Sequence, residues 1–434
     1  MKYASLLLIG IVVWLGAATT SAQNSDLLRT AGNGVEVNAS GQVLPLSAEK
    51  SEAVAKMTAS ILESLPEELD RKTVLRKISL KKLDAQVKKI VDQNEFLPDT
   101  IRYFGGLTSI DYIVAVPEEN DILLIGPAEG WQSDAAGNII GKQSGLPVLV
   151  LEDFLTALRV WNKPDASTVT CSMKPSQETL TKLVRVHQQY PSVNTNNADA
   201  YAAVLEEAYG DSPITITGVL ATSRYAKVLV AADFRMKRIA LGLEPSQVRS
   251  IPSYIGLISA GRTNITPQFW LASEYASLSH DSKKMTWRLG DVTVRTSSRA
   301  TGGMDRAALN WCRNMDENYE VLVKAQPIFG ELRNNMRCAL AAALIHKENL
   351  LQKGNCTLTI LLDETNLKLM DYPAPKSVTC RSIKVRNGFS TVVACGGVEI
   401  NPMVPLRNNV RLDNKIDAER VRLIQTSGNE WWSH

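Results

Sequence analysis

The spacing of apolar residues divides the chain into recognisable elements. A helix-like stretch closes near Ser64, ahead of Pro66. Ile110, Tyr112, Val114 and Val116 alternate as in a half-buried strand, a turn over Pro117 to Asp121 follows, and Ile122 to Ile125 runs back. Asn138 to Gly141 is a further short strand, and Val148 to Val150 leads into a helix with Leu151, Phe154, Leu155 and Leu158 on one face. Beyond it the pattern predicts a strand at 168–173, helices at 176–190 and 199–209, a strand at 214–219 and a long helix at about 223–243. In that helix Leu229, Ala232, Met236, Ile239, Ala240 and Leu243 form one apolar face, and Val230 with Phe234 a second patch. A helix patterned in this way is expected to be covered on two sides. Residues 266–298 return to strand character, helices span about 304–325 and 329–351, and the tail from Thr357 is β-rich. Mixed strands and helices with β-hairpins, a central amphipathic helix near 223–243 and a β-rich C-terminal part predict an α+β fold.

The same pattern suggests an order of segments: 1–22, a signal peptide; 23–65, a flexible arm rich in Gly, Asn and Ser with a short helix; 66–165 and 166–265, two α+β units; and 266–434, a helical hairpin with a β-rich region. The N-terminal stretch is the most legible. Lys2 is a short positive region, Leu6 to Leu15 an apolar run, and Thr20-Ser21-Ala22 a small-residue cleavage site, the pattern of a secretory signal cut after Ala22. The expectation is a secreted or periplasmic protein with no transmembrane segment after cleavage, because the apolar run is shorter than the ~20 residues that span a bilayer.

Export changes the meaning of the cysteines. All six (Cys171, Cys312, Cys338, Cys356, Cys380, Cys395) follow the signal, in a compartment that permits disulfides. Asn387-Gly388 is a strong hairpin signal, and counting outward from a two-residue turn sets Cys380 opposite Cys395. That pair is the candidate disulfide, with buried free thiols as the alternative.

Composition adds exclusions. With 44% hydrophobic and 21% charged residues the chain can build cores, and a net charge of +3 argues against a nucleic-acid partner bound through bulk charge. Eight basic residues nevertheless lie between Arg71 and Lys89, followed through Ser79, a helix N-cap, by Leu83, Val87 and Ile90 on one face. Such a helix either exposes a solvated face or touches an anionic membrane surface. No phosphate-binding loop, serine-hydrolase elbow or C-x-x-C occurs, and no two of the four histidines have the spacing of a helical metal site, so no cofactor or metal is expected.

Three segments remain as candidate sites. GPAEGW at 126–131 presents Glu129 and Trp131, with Asp134 close behind, a combination suited to carbohydrate or peptide contact; an ordinary turn explains it equally. The helix at 223–243 carries Asp233 and Lys237 four residues apart in the strip between its apolar patches. They are either a structural ion pair, or Asp233, Arg235 and Arg238 face an anionic ligand. FGELRN at 329–334 opens a helix, where Glu331 suits the positive end of the dipole.

Together GPAEGW, LVAADFRMKRIALGLEPS (229–246) and FGELRN resemble a family of secreted planctomycete-type proteins, a domain of unknown function numbered fifteen ninety-eight, over about residues 70–400. The resemblance implies export and one long module, and carries no activity or ligand. The expected function is therefore a secreted, non-enzymatic binding or envelope-associated protein with an unknown envelope or extracellular ligand. The alternative is an extracytoplasmic hydrolase acting on glycans or peptides through paired carboxylates, with Glu129 and Asp134 the candidates.

Overall fold

The computed structural model describes residues 26–166, 168–192, 196–258, 267–299, 305–379, 383–384, 391–392, 395–426 and 428–434. The segment read as a signal peptide, Cys380 and the Asn387-Gly388 pair lie outside the described residues. Two mixed sheets dominate. The larger orders its strands as Ala31–Gly32, Val35–Val37, Gln42–Pro45, Ser377–Thr379, Asp211–Thr217, Val169–Met173, Cys395–Ile400, Gln268–Tyr275 and Val292–Arg299. The smaller runs Val410–Leu412, Leu278–His280, Thr286–Arg288, Tyr112–Val116, Asp121–Ala128, Thr73–Ser79 and Trp432–Ser433. Both sheets mix parallel and antiparallel pairs, with long helices packed on them, so the fold is α+β.

Strands from 31–45, 169–217, 268–299 and 377–400 share one sheet, which therefore draws on segments far apart along the chain. The stretch expected as a flexible arm supplies the three strands at one end of this sheet, with Val35, Val37 and Val43 in the main core. The tail holds strands from Ser377–Thr379 to Trp432–Ser433, with helices at Met403–Asn408 and Lys415–Leu423 between them. The basic run is split too. Arg76 and Lys77 lie on a strand and are buried, Arg76 donating to the carbonyls of Leu69 (3.2 Å), Gly105 (2.5 Å), Glu68 (3.2 Å) and Arg71 (3.0 Å). Only the remaining cations are available to any outside surface. Ser79 caps the following helix as expected, its Oγ accepting from Lys82 N at 3.0 Å.

Sheet environment explains the strand patterns. The smaller sheet is covered on both faces, and its hairpin reads as the continuous runs Ile113 to Val116 and Ile122 to Ile125. The larger sheet buries one face and exposes the other, so Val292–Arg299 alternates Val292, Val294 and Thr296 inward with Arg295, Ser297 and Arg299 outward. Three helices define the centre: α1 (Leu151–Trp161), α2 (Arg224–Ala240) and α3 (Pro327–Lys347). α2 lies between the larger sheet and the other two, and its two apolar patches are buried on opposite sides. Among the described residues no helix is long and apolar enough to cross a membrane.

Candidate functional site

Burying both sides of α2 forces its charged residues to find partners inside the protein. At its N-terminal end Arg224 occupies the first turn, where a cation opposes the helix dipole. Two carboxylates answer it: Asp153 of α1, in direct contact, and Glu331 of α3 at 2.5 Å. Glu331 also accepts from Asn33 Nδ2 at 3.4 Å. Its neighbour Lys227 donates to the carbonyls of Arg29 and Ala31, both at 3.1 Å, and lies 5.3 Å from the Tyr372 ring. Tyr372 in turn donates to Glu152 at 3.3 Å. Burial, reinforced by the charge of Asp153, pushes the Glu152 carboxyl up to about 7. Burial raises Asp153 to about 6 against the pull of Arg224, and burial, with Arg224 nearby, lowers Lys227 to about 8. Glu152 Oε1 and Asp153 Oδ1 have no protein partner.

At the other end of α2, Asp233 is fully buried and Lys237 nearly so, paired at 2.7 Å, with Lys237 also donating to Gly396 O at 3.3 Å. Burial raises the Asp233 carboxyl and Lys237 opposes it. Arg235 is held by Glu244 (2.8 Å from Nε, 2.5 Å from Nη2) and by Asn33 O at 3.3 Å. Its guanidinium lies over Gly34, which has φ +78° and where any Cβ would come within 2.7 Å of Nη1. Arg238 reaches Glu244 only at 3.4 Å, donates to Leu243 O at 3.2 Å and packs over the Phe234 ring. Glu244 is thus engaged mainly by Arg235, which leaves Arg238 the less compensated cation.

Lys237 and Arg238 line a cleft of about 170 Å³ between α2 and the larger sheet. Its walls are chiefly apolar, from Val43, Met173, Phe234, Leu241, Leu243 and Val378. Among the described lining residues no carboxylate appears; the nearby Asp211 is on the opposite face of its strand from Ser212, bonded to Thr379 and Gln42. A comparable dry void of ~150 Å³ takes up a benzene-sized molecule. The cleft therefore suits a small apolar body carrying one negative group.

The other sequence-predicted residues lie elsewhere. Glu129 is buried and accepts from Gln143 N (3.2 Å), from Ser144 N (3.0 Å) and from the Ser144 hydroxyl, fixing the 141–145 loop. Trp131 is buried edge-on to Tyr103 at 5.7 Å. Asp134 closes its own turn, accepting from Ala136 N, Asn138 N and Asn138 Nδ2, each at 2.8 Å. Glu331 is not explained by helix-start chemistry: α3 begins at Pro327, and its carboxylate is the partner of Arg224. The residues that sequence reasoning passed over are Glu152, Asp153, Arg224, Lys227 and Tyr372. One signal was present, an arginine directly after the Ser223 cap, which requires compensation from outside the helix.

Among the described residues no group of three or more His, Cys, Asp or Glu could hold a metal ion. Cys171, Cys312, Cys338 and Cys356 are buried thiols. In the hairpin, Ile383 pairs with Val392 and Lys384 with Thr391, the register that the sequence count assumes.

Comparison with known proteins places one segment. The profile of a family described as "Protein of unknown function (DUF1598)" matches residues 171–254. That segment is narrower than the resemblance over 70–400; it includes LVAADFRMKRIALGLEPS but neither GPAEGW nor FGELRN. It comprises all of α2, the strands and helices before it, and the cleft residues Met173, Phe234, Lys237, Arg238, Leu241 and Leu243. No curated protein and no solved structure matches the chain.

Proposed function

We propose that the chain is an extracytoplasmic binding protein that holds a small organic anion in the cleft beside α2 without converting it. The observation that carries this reading is the lining, an apolar chamber to which Lys237 and Arg238 bring positive charge and to which no described lining residue adds a carboxylate. Lys237 is committed to Asp233, so Arg238, in the incomplete embrace of Glu244, is the group that meets the ligand's charge. The apolar body packs between Phe234, Met173 and Leu241. Export is supported by the pattern of residues 1–22, and the Cys380–Cys395 bridge by the hairpin register. The hydrolytic alternative finds no support at Glu129 and Asp134, since the carboxylate oxygens of each are spent on loop amides.

Isothermal titration with benzoate, phenylacetate and the uncharged benzyl alcohol tests this. Benzoate is expected to bind with Kd on the order of 0.1–1 mM, about 0.5 kcal/mol per heavy atom. Arg238→Ala should weaken it about tenfold, the value of one charge-assisted hydrogen bond. Equal affinity for benzyl alcohol, or benzoate binding untouched by Arg238→Ala, overturns the assignment.

A further inference from the structure

The open face of the larger sheet ends in a second cleft, of about 240 Å³, well away in sequence from α2. Its floor is where Gln268–Tyr275 and Cys395–Ile400 run parallel with Ala272 opposite Glu399. Glu274 follows Ala272 on the same face, two residues along. The strand rise and spacing set the Cα atoms of Glu274 and Glu399 roughly 8 Å apart, with both side chains on the solvent side. Each carboxylate is tethered through Oε2 by an arginine of Val292–Arg299: Glu274 from the adjacent strand by Arg295 Nε at 2.5 Å, and Glu399 from two strands away by Arg299 Nη2 at 3.3 Å. Both glutamates line the cleft, where their carboxylates supply acceptors. The loop and helix over 401–409 form the other wall. Asn401 uses its Oδ1 to accept from Met403 N at 3.2 Å, which leaves its amide donors available, and Asn409 adds a second carboxamide. Val404, 51% exposed, stands beside Pro405 as an apolar step on this wall.

We infer that this cleft binds a neutral sugar ring. Three features select that chemistry over others. Fixed acceptors and amide donors face one another, and a hydroxyl group, being both donor and acceptor, satisfies both kinds at once. No described cation lines the cleft, and its two carboxylates repel an anionic ligand; the arginines behind them remove the excess charge that would attract a cation. The exposed Val404, seated beside the buried Pro405, offers a small apolar surface of the kind on which the C–H face of a pyranose packs. The volume lies below the ~300 Å³ at which drug-sized pockets begin, which fits one ring with its substituents leaving along the open sheet. This inference is independent of the anion cleft: the two share no residue.

Saturation-transfer NMR on the full mature chain tests it, with the methyl glycosides of glucose, galactose, mannose and N-acetylglucosamine, and with glucuronate as the acidic contrast. At least one neutral glycoside is expected to bind with Kd on the order of 1 mM. Glu274→Ala should weaken that binding at least tenfold. Val404→Arg, at an exposed position where folding is not at stake, should abolish it by filling the apolar step. Benzoate binding, read in the same samples, should be unchanged in both variants and so reports that they are folded. Absence of transfer to every neutral glycoside overturns the inference. So does stronger binding of glucuronate, or neutral-glycoside binding that persists in both variants.

Discussion

Replacing Lys237 with Met removes one partner of the most deeply buried ion pair among the described residues and leaves its neighbours in place. The carboxylate it abandons is fully buried, with Oδ1 already unpartnered and Oδ2 now bare. Breaking such a pair costs about 3–5 kcal/mol, because the remaining charge has neither water nor counter-ion. For a chain of ~400 folded residues an unfolding entropy of ~2 cal/mol/K per residue gives ~0.8 kcal/mol per degree, so Tm should fall by roughly 4–6 °C. The cost has a pH signature. Burial already raises the folded Asp233 carboxyl, and losing Lys237 raises it further, so the folded state binds the proton more tightly than the unfolded chain. The penalty therefore grows as pH rises above the unfolded value of ~3.9 and levels off above the folded one. Chemical denaturation at pH 5.0 and 7.5 should show a larger loss at 7.5. The double variant Asp233→Leu with Lys237→Met should recover most of the stability, less the hydrogen bond to Gly396 O, worth about 1 kcal/mol. A single variant within 1 kcal/mol of the parent at pH 7.5, or a double variant no better than the single, would refute the argument that burial sets the cost.

Two further expectations follow from the same physics. Glu152 and Asp153, at about 7 and about 6, lie above their unfolded values, so the denaturation midpoint should rise as pH falls from 8 to 5. Lys227, lowered to about 8, is charged in both states below about pH 7 and opposes this slope only at the top of the window, where the folded state starts to lose its proton; Glu152→Gln should flatten the profile around pH 6 to 7, and an unchanged slope there would contradict the placement of that titration. Peptide mapping of the non-reduced protein, expressed with residues 1–22 in an export-competent host, should find residues 380 and 395 in one crosslinked pair and a mature N-terminus at Gln23, whereas alkylation of both thiols would rule the bridge out.

The periodic parts of the fold were readable because their environments are simple. The strand at Val292–Arg299 alternates because one face is wet, and α2 shows two apolar patches because two layers cover it. What could not be read is where distant segments meet. Thr73–Ser79 looked like the start of a basic run, yet Arg76 is buried against four backbone carbonyls, three from the short helix Glu67–Asp70 and its C-cap Arg71 and one from the turn at Gly105. Residues 31–45 looked like an arm because each strand there is only two to four residues long, too short for a period to register. The site was half legible. Asp233 and Lys237 announce a pair by their spacing on a covered helix, and Arg238 was singled out beside them. The cleft they border also needs Val43, Met173 and Val378, from three strands whose adjacency no local pattern encodes. Glu331 shows the same limit from the other side: its position in a helix suggested a dipole partner, but α1 and α2 converge on it and make it the counter-ion of Arg224.

The claim on which the functional account rests is that the cleft beside α2 takes an apolar anion with its charge on Arg238. A crystal of the mature protein soaked in 4-bromobenzoate tests that directly through the anomalous signal of bromine. The account predicts one bromine peak among Phe234, Met173 and Leu241, with the carboxylate within hydrogen-bond distance of the Arg238 guanidinium. A cleft without bromine at saturating ligand, or a carboxylate turned away from Arg238, would contradict it.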